Sequence, residues 1–221
     1  KKIFTLSECS KNIIVKELKV NPSNILLTGS PINTSEFTPL TKDKKIIKNK
    51  LLTKYGIPTN NNHLLCLNVG TSEPRKRLGF LLDSITNLDN VMLVKIGKIS
   101  EGYQFNNVNT FNLGFVPEKD LIKFYQVSDL YIHPSNFEGF PRCSLEAHAC
   151  GTNTLVFDIP LNREILDNTA LYFKNSKKSF EEAISRFKKG NKINRTNLIK
   201  NANKYSTTKI GNKVYDFLVN I

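Results

Sequence analysis

The sequence predicts an α/β fold built on a doubly wound parallel sheet. Segments typical of buried strands alternate with segments typical of helices from residue 64 to about residue 175, and this order indicates repeated strand-helix-strand units. Apolar residues make up 39% of the 221 residues, which suits one large hydrophobic core. No apolar run approaches the roughly 18 residues of a membrane-spanning helix. We therefore expect a Rossmann-like sheet flanked by helices.

The first 40 residues predict a small strand-helix-strand unit. Residues 2–6 (KIFTL) favour a strand, and Ser7 is well placed to cap a helix that runs to about Leu18. A second strand is expected at residues 25–28, followed by a loop rich in Pro, Asn, Thr and Ser.

A basic amphipathic helix is expected over residues 42–55, ended by Gly56 and Pro58. Its apolar side carries four aliphatic residues: Ile46, Ile47, Leu51 and Leu52. A helix lying on a membrane surface is one interpretation. A helix at the entry to the next domain is favoured because the segment is short and has only aliphatic anchors.

Residues 64–76 combine a strand, a glycine turn and a basic helix start. The strand is LLCLNV (64–69), the turn reads GTSEPRK (70–76), and a helix is expected at 77–88. Such an arrangement binds anions. Lys76 is the candidate for a diphosphate group, while Arg75 and Arg77 are equally well explained as solvated charges at a helix end.

The next segments predict two further strands and a helix. Strands are expected at residues 91–96, which Gly97 closes, and at 110–113. A helix that carries Leu121, Phe124 and Tyr125 then follows the turn 114–117 (GFVP).

The central stretch of the sequence is HPSNFEGFPRCSLEAHACG, residues 133–151. A strand at 129–133 precedes its loop, a helix is expected at 142–150, and a strand follows at 154–157, so the loop lies at a strand's carboxyl end, where open α/β sheets bind ligands. Glu138 and Glu146 are too far apart in the chain for a glycosidase acid pair. They suit the two ends of a nucleotide diphosphate sugar, with the helix amino terminus between them for phosphate.

The carboxy-terminal third predicts helices. A short helix beginning in IPLNREILDN contains Glu164, and further helices are expected at 179–188, 192–204 and 207–219. The last of these carries apolar residues at helical spacing: Ile210, Val214, Phe217 and Leu218.

Charge and cysteine content narrow the classes of partner. The 32 Lys and Arg outnumber the 19 Asp and Glu, giving +13, so anionic partners are favoured: nucleotide sugars, an anionic membrane surface or nucleic acid. The basic residues are scattered, which favours a solvated basic surface over nucleic-acid binding. The four cysteines form no CxxC pair, so they indicate neither zinc nor redox chemistry but reduced, buried side chains. With no readable signal peptide, we expect a cytoplasmic protein, with the cytoplasmic membrane surface as an open alternative.

The central stretch resembles a known family. Its segments 138–141 (EGFP), 145–147 (LEA) and 149–151 (ACG) resemble the E-x7-E signature of retaining glycosyltransferase family 4. That resemblance implies the GT-B fold, a nucleotide diphosphate sugar as donor, and no requirement for a metal. It also implies that Glu138 touches the transferred sugar and Glu146 the ribose hydroxyls.

The same resemblance assigns donor-binding roles to three backbone segments. The backbone of four successive residues lines the sugar and diphosphate: Gly139, Phe140, Pro141 and Arg142. The G…PRK loop contributes Gly70, Thr71, Arg75 and Lys76, and the turn of Gly114, Phe115 and Val116 holds the nucleobase. Many relatives have Arg where this chain has Thr71 and Gly where it has Pro141, so Arg75 or Arg142 is a candidate replacement for the absent cation.

Two further residues, His133 and Glu164, keep two interpretations. His133 either touches the donor or is structural, with the structural role favoured, and Glu164 either lies near the donor pocket or caps its helix. His63 and His148 are expected to be structural.

The predicted organisation follows the family. Residues 1–40 resemble the tail of an amino-terminal domain and a hinge, 41–206 form the nucleotide-sugar-binding domain, and 207–221 form a crossing helix. The predicted function is transfer of a sugar with retention, by Glu138 and Lys76, to a glycan, lipid or protein acceptor. The alternative is a nucleotide-sugar-binding module that needs a missing amino-terminal domain or partner chain. Nucleic-acid binding and epimerisation are disfavoured.

Overall fold

The computed structural model describes residues 2–59, 62–105 and 109–219. The strands in these residues are β1 (Ile3–Thr5), β2 (Ile25–Leu27), β3 (Leu64–Val69), β4 (Val91–Ile96), β5 (Thr110–Asn112), β6 (Leu130–His133), β7 (Asn153–Phe157) and β8 (Leu171–Phe173). The helices are α1 (Glu8–Leu18), α2 (Lys44–Lys54), α3 (Leu78–Ile85), α4 (Glu118–Val127), α5 (Arg142–Ala149), α6 (Pro160–Leu166), α7 (Lys177–Lys188), α8 (Arg195–Asn203) and α9 (Thr207–Val219).

The six strands β3 to β8 form one parallel sheet in the order β5-β4-β3-β6-β7-β8. From β3 the chain winds outward through β4 to β5, then returns to β6 and winds outward in the other direction. The winding therefore reverses between β3 and β6, which pair at Cys66 and Leu130. The crevice at the carboxyl ends of two such strands is the usual ligand site of open α/β sheets.

Alternation along the strands divides the core into two layers. Leu65 and Leu67 face a cluster that includes buried residues of α2, α4, α5, α6 and α8. Cys66 between them faces a cluster built with α3 and α7, because successive strand side chains point to opposite faces. Helices thus cover both faces of the sheet, and the predicted α/β class with a doubly wound parallel sheet is confirmed.

The first two strands form a separate parallel pair. Ser7 caps α1 as predicted, since its side chain accepts the backbone N–H of Ser10. Phe4 contacts Phe217 of α9 with 5.7 Å between ring centroids, so the last helix packs on the amino-terminal pair. The division into three predicted domains stays a prediction.

The basic helix α2 packs on α4, and only part of its predicted apolar side is buried. Leu51 and Leu52 are buried, but Ile46 is 53% exposed, because adjacent helical positions such as 46 and 47 point about 100° apart. Lys54 pairs with the buried carboxylate of Asp120 on α4. In the part of the chain that the structure describes, no helix has the length and apolar character needed to cross a membrane.

Element bounds differ from the predictions at a few ends. The helix predicted at 77–88 spans Leu78–Ile85 and is preceded by a 3₁₀ turn at Pro74–Lys76. Helices α7 and α8 replace the predicted 179–188 and 192–204. The short strand Leu171–Phe173 was not predicted individually, because three residues carry too little periodicity.

Candidate active site

The predicted site residues meet at the carboxyl ends of β3 and β6. The turn after β3 supplies Arg75 and Lys76, and the loop after β6 supplies Glu138. These segments are 62 residues apart in sequence but touch, since the backbone N–H of Asn136 donates to the carbonyl of Arg75. Parallel pairing of the two strands is what brings the loops together.

Glu138 lies at the centre of a cluster of basic side chains. Its carboxylate, 6% exposed, is 2.5 Å from Lys76 Nζ and 3.2 Å from Arg75 Nη1. His133 Nε2 approaches the same carboxylate to 3.0 Å. The cluster brings two cations and a carboxylate to the crevice. The cations suit an anionic ligand, and the carboxylate can orient a polar group on that ligand.

The basic cluster keeps Glu138 ionised. Burial by itself would raise the pKa of this carboxyl group, but His133 and Lys76 outweigh burial and lower the pKa to about 2. Since the carboxylate is the charged form above that value, Glu138 is an anion at any pH near neutrality. It can accept hydrogen bonds from hydroxyl groups but cannot act as a proton donor.

Glu146 lies in a different environment, on α5. Its carboxylate accepts a hydrogen bond of 3.0 Å from the Tyr125 hydroxyl, and Arg142 Nη2 is 3.9 Å away. Burial raises the pKa of Glu146, and the Tyr125 hydrogen bond only partly opposes that shift. The pKa values of the two glutamates are therefore shifted in opposite directions, Glu138 downward and Glu146 upward. Such a difference is common where two carboxyl groups have different roles.

Two buried tyrosines, Tyr125 and Tyr131, lie between the two glutamates. The rings of Tyr125 and Tyr131 pack with centroids 5.6 Å apart. Tyr131 Oη lies 3.4 Å from His133 Nδ1, and His133 in turn faces Glu138. His133 thus lies between Tyr131 and Glu138, a position that the sequence did not indicate.

Three glycine turns follow the carboxyl ends of β3, β4 and β5: Gly70, Gly97 and Gly114. Gly70 ends β3, and the N–H of Gly97 after β4 donates to the carbonyl of Gly114 at 2.6 Å. A Cβ on Gly97 would lie 2.1 Å from the Gly70 oxygen, so only glycine fits between the turns. Phe115 beside them is 82% exposed, whereas Val116 packs against the core.

The segment 139–142 is exposed at its two ends, Gly139 and Arg142, whereas Phe140 and Pro141 are buried. Gly139 has open space where a Cβ would be, while the Phe140 ring packs on Tyr205 with centroids 5.2 Å apart. Pro141 precedes the first residue of α5, and the exposed Arg142 begins that helix. Gly139 is thus open to a ligand, but the Phe140 side chain has a packing role.

The two candidate replacements for a cation at Thr71 occupy different places. Arg75 bridges Glu73 and Glu138, but Arg142 contacts neither. Thr71 itself donates its hydroxyl to Glu73 Oε1 at 2.7 Å. Arg77, expected to be a solvated charge, instead stacks on Phe80 and Phe157 at 4.3 Å on the other side of the sheet.

Lys95 is a functional candidate that the sequence analysis missed. Its side chain is fully buried within β4, and its Nζ donates to the carbonyls of Gly70 and Ile96. The signal that could have identified it was a single charge inside the apolar run VMLVKI. Buried lysines are rare and usually paired, so a lysine inside a strand-like apolar run indicates a specific structural or functional role.

Glu164 is a capping residue, but of another helix than expected. Its two carboxylate oxygens accept the backbone N–H groups of Glu8 at 2.7 Å and Cys9 at 3.1 Å. Together with Ser7 on Ser10, they satisfy three of the four free donors at the start of α1. This geometry supports the capping interpretation, although the cap acts across 156 residues.

We expect Glu164→Ala to destabilise the fold by about 1–2 kcal/mol, since it removes a charged cap from two helix donors. Nucleotide affinity should stay unchanged. Urea denaturation and nucleotide titration measure the two effects, with Glu17→Ala, an exposed acid on α1, as the matched control. A loss of nucleotide affinity in Glu164→Ala alone would return this residue to the donor pocket.

His148 and the cysteines have structural positions. His148 Nε2 lies 3.0 Å from Thr154 Oγ1, and burial lowers its pKa to about 3, so the ring is neutral. Cys66 and Cys150 are buried as predicted, but Cys9 and Cys143 are only partly so.

Comparison with known proteins identifies the family. Residues 49–205 match the family model of the glycosyl transferases group 1. The chain is 24% identical over 180 residues to serotype-specific mannosyltransferase WbdA of Escherichia coli, covering 74% of this chain and 21% of the relative. It is 25% identical over 185 residues to O-antigen chain mannosyltransferase B of the same organism, covering 77% of this chain and 47% of the relative.

The fold has the same affiliation. The structure of Alr3699/HepE from Anabaena in complex with UDP and glucose superposes with a TM-score of 0.81 at 14% identity, covering 100% of this chain and 63% of that one. Its neighbours in fold are GT-B glycosyltransferases, so the Rossmann-like domain is of the GT-B type. The chain spans less than half the length of the two curated relatives. Since the family model matches residues 49–205, which is well over half of the 221 residues, the chain belongs to the glycosyl transferases group 1 family.

Proposed function

We propose that this chain is the donor-binding half of a retaining, family 4 glycosyltransferase with the E-x7-E signature. It binds a nucleotide diphosphate sugar in the crevice between β3 and β6. The observation that carries the proposal is the cluster in which Lys76 and Arg75 converge on Glu138 at 2.5 and 3.2 Å. A diphosphate needs such cations, and a sugar needs a fixed acceptor for its hydroxyls.

In the proposed reaction, the bond between the anomeric carbon and the diphosphate oxygen breaks while the acceptor hydroxyl attacks from the same face. The proton of the acceptor passes to the departing phosphate, so no protein nucleophile is required. Lys76 stabilises the charge that develops on the leaving phosphate. The amino terminus of α5 adds its dipole, Glu138 positions the sugar, and Glu146 holds the ribose.

The proposed donor-binding surface also includes three backbone segments. Gly70 and Thr71, with Gly139 to Arg142, line the diphosphate and sugar. Gly114, Phe115 and Val116 hold the base. Two backbone hydrogen bonds support this placement. The N–H of Gly97 donates to Gly114 and the N–H of Gly70 donates to Ile96, so the end of β4 joins the base turn to the phosphate turn.

We propose a hexose as the transferred sugar and a polysaccharide as the product. The names of the relatives support this class, because they are O-antigen and serotype-specific mannosyltransferases. The catalytic charge is supplied by Lys76 and Arg75, so no metal is expected. A peripheral contact of the basic surface with anionic lipid remains part of the proposal.

A second candidate is a binding module that requires a partner. The chain spans 21% and 47% of the two relatives, and the acceptor side of a GT-B cleft is formed by the opposite domain. By this candidate the chain binds the donor but transfers sugar only with an amino-terminal domain or partner chain. Activity measured before and after addition of that part separates the two candidates.

Isothermal titration with UDP, GDP and their common sugar conjugates tests donor binding. We expect one nucleotide to bind, and Glu146→Ala to weaken its affinity about tenfold by removing the ribose acceptor. Glu118→Ala, an exposed acid near Glu146, is the matched control and should bind normally. Failure of the unsubstituted chain to bind any nucleotide would contradict the proposal, as would equal affinity of the two variants.

A further inference from the structure

Lys95 connects two of the three glycine turns, the turn after β3 and the turn after β5. Its side chain donates to the carbonyl of Gly70 in the turn after β3. Its backbone carbonyl accepts the N–H of Leu113 at 2.9 Å, directly before Gly114. One buried residue therefore contacts both the proposed phosphate turn and the proposed base turn.

The Lys95 ammonium also acts on a single peptide group. The Gly70 carbonyl and the Thr71 N–H belong to the same planar unit, and the described chain has no cis peptide, so the two groups point in opposite directions. Within the described residues the Thr71 N–H has no acceptor of its own. A cation on the carbonyl polarises the unit and makes this N–H a stronger donor toward an anion.

We propose that Lys95 is a positioning residue for the donor diphosphate. It fixes the Gly70–Thr71 peptide with its N–H toward the crevice, and its positive charge acts through that peptide. It thereby compensates for the absence of a cationic side chain at Thr71. The inference rests on the proposed function, since it assigns a further residue to the same donor site.

Lys95 also introduces a dependence of donor affinity on pH. Burial lowers the pKa of its ammonium to about 8, so the charge is lost as pH rises through that value. Lys76 from the β3 turn and Cys143 from α5 are the titratable groups that act on it. Burial raises the pKa of Cys143 to about 11, so the thiol stays neutral in this range. Lys76 faces Glu138, whose carboxyl group has a pKa of about 2 and stays ionised between pH 7 and 9.

Stability should change with pH in the opposite direction to donor affinity. The pKa of Lys95 is about 8 in the fold against an ordinary value of 10.5. Between these values the unfolded chain binds more protons than the folded chain, so the contribution of Lys95 to stability rises with pH. A loss of nucleotide affinity between pH 7 and 9 would therefore not reflect unfolding through this group.

The test is titration of the chain with UDP and GDP at pH 7, 8 and 9, with Lys95→Met beside it. We expect the dissociation constant of the unsubstituted chain to rise about fivefold between pH 7 and 9, with the fall in the association constant centred near pH 8. The charged fraction of Lys95 drops from about 0.9 to about 0.1 over this range, and the neutral form should bind about tenfold more weakly. Lys95→Met should bind about tenfold more weakly at pH 7, with no midpoint near pH 8. Lys98→Met, an exposed lysine after the same strand, should match the unsubstituted chain.

Each outcome decides one claim. If the unsubstituted chain binds nucleotide but Lys95→Met binds equally well, or keeps the midpoint near pH 8, the role of Lys95 is wrong and the proposed function stands. A chain that binds no nucleotide at any pH overturns both. Should Lys95→Met not fold, the pH profile of the unsubstituted chain decides, and a flat profile contradicts the inference.

Discussion

Lys76→Met should weaken nucleotide diphosphate binding about 10- to 100-fold, the value of one or two charge-assisted hydrogen bonds to phosphate. Lys76 is 20% exposed and its Nζ lies 2.5 Å from Glu138, so its charge is only partly screened by solvent. Its loss also leaves the Glu138 carboxylate with Arg75 as its remaining ionic neighbour of fixed charge. We therefore expect a loss of about 1–3 kcal/mol in stability as well. Titration calorimetry and urea denaturation measure the two quantities.

Lys48→Met is the matched control for this variant. Lys48 is 13% exposed and pairs with Asp129 at 3.5 Å. Asp129 directly precedes β6, so this pair lies at the amino ends of the strands, opposite the crevice at their carboxyl ends. The same substitution there should reduce stability but leave nucleotide affinity unchanged. Equal nucleotide affinity in Lys76→Met and Lys48→Met would show that Lys76 stabilises the fold and not the donor.

Glu138→Gln should separate binding of the sugar from binding of the nucleotide. The change keeps the shape of the side chain but removes the charge that Lys76 and Arg75 neutralise. Nucleotide diphosphate without sugar should bind as well or more tightly, since both cations become free for phosphate. Transfer by the complete protein should fall about 100-fold, because the sugar is no longer held in the reactive position.

The measurement compares the affinity for a nucleotide with that for its sugar conjugate in each variant. Glu182→Gln, an exposed acid on α7, controls for the amide substitution. If Glu138→Gln keeps both the transfer rate and the affinity gained from the sugar, Glu138 serves only to hold the basic cluster together.

Most of the sheet followed from periodicity. The runs LLCLNV and VMLVKI matched β3 and β4 residue for residue, since a buried parallel strand is apolar on both faces and bounded by turn residues. The ends of helices were predicted less accurately. Helix α3 begins at Leu78, one residue after its predicted start, because the turn at Pro74–Lys76 and the left-handed Arg77 precede it. The strand Leu171–Phe173 was too short to recognise.

The sequence alone indicated a glycosyltransferase, which the match to the group 1 family model supports. It also singled out Glu138 and Glu146 as candidates, because closely spaced residues carry the resemblance. It could not determine which distant residues face them. Only the pairing of β3 with β6 brings Lys76 to Glu138. The folded structure also places His133 beside the same carboxylate and directs Glu164 to the start of α1. Lys95 is the clearest case: its charge is visible in the sequence, but its contacts with Gly70 and Leu113 depend on two turns that meet only in the folded sheet. The chemistry of a residue is local, whereas the dielectric and the partners that give it a role are set by packing.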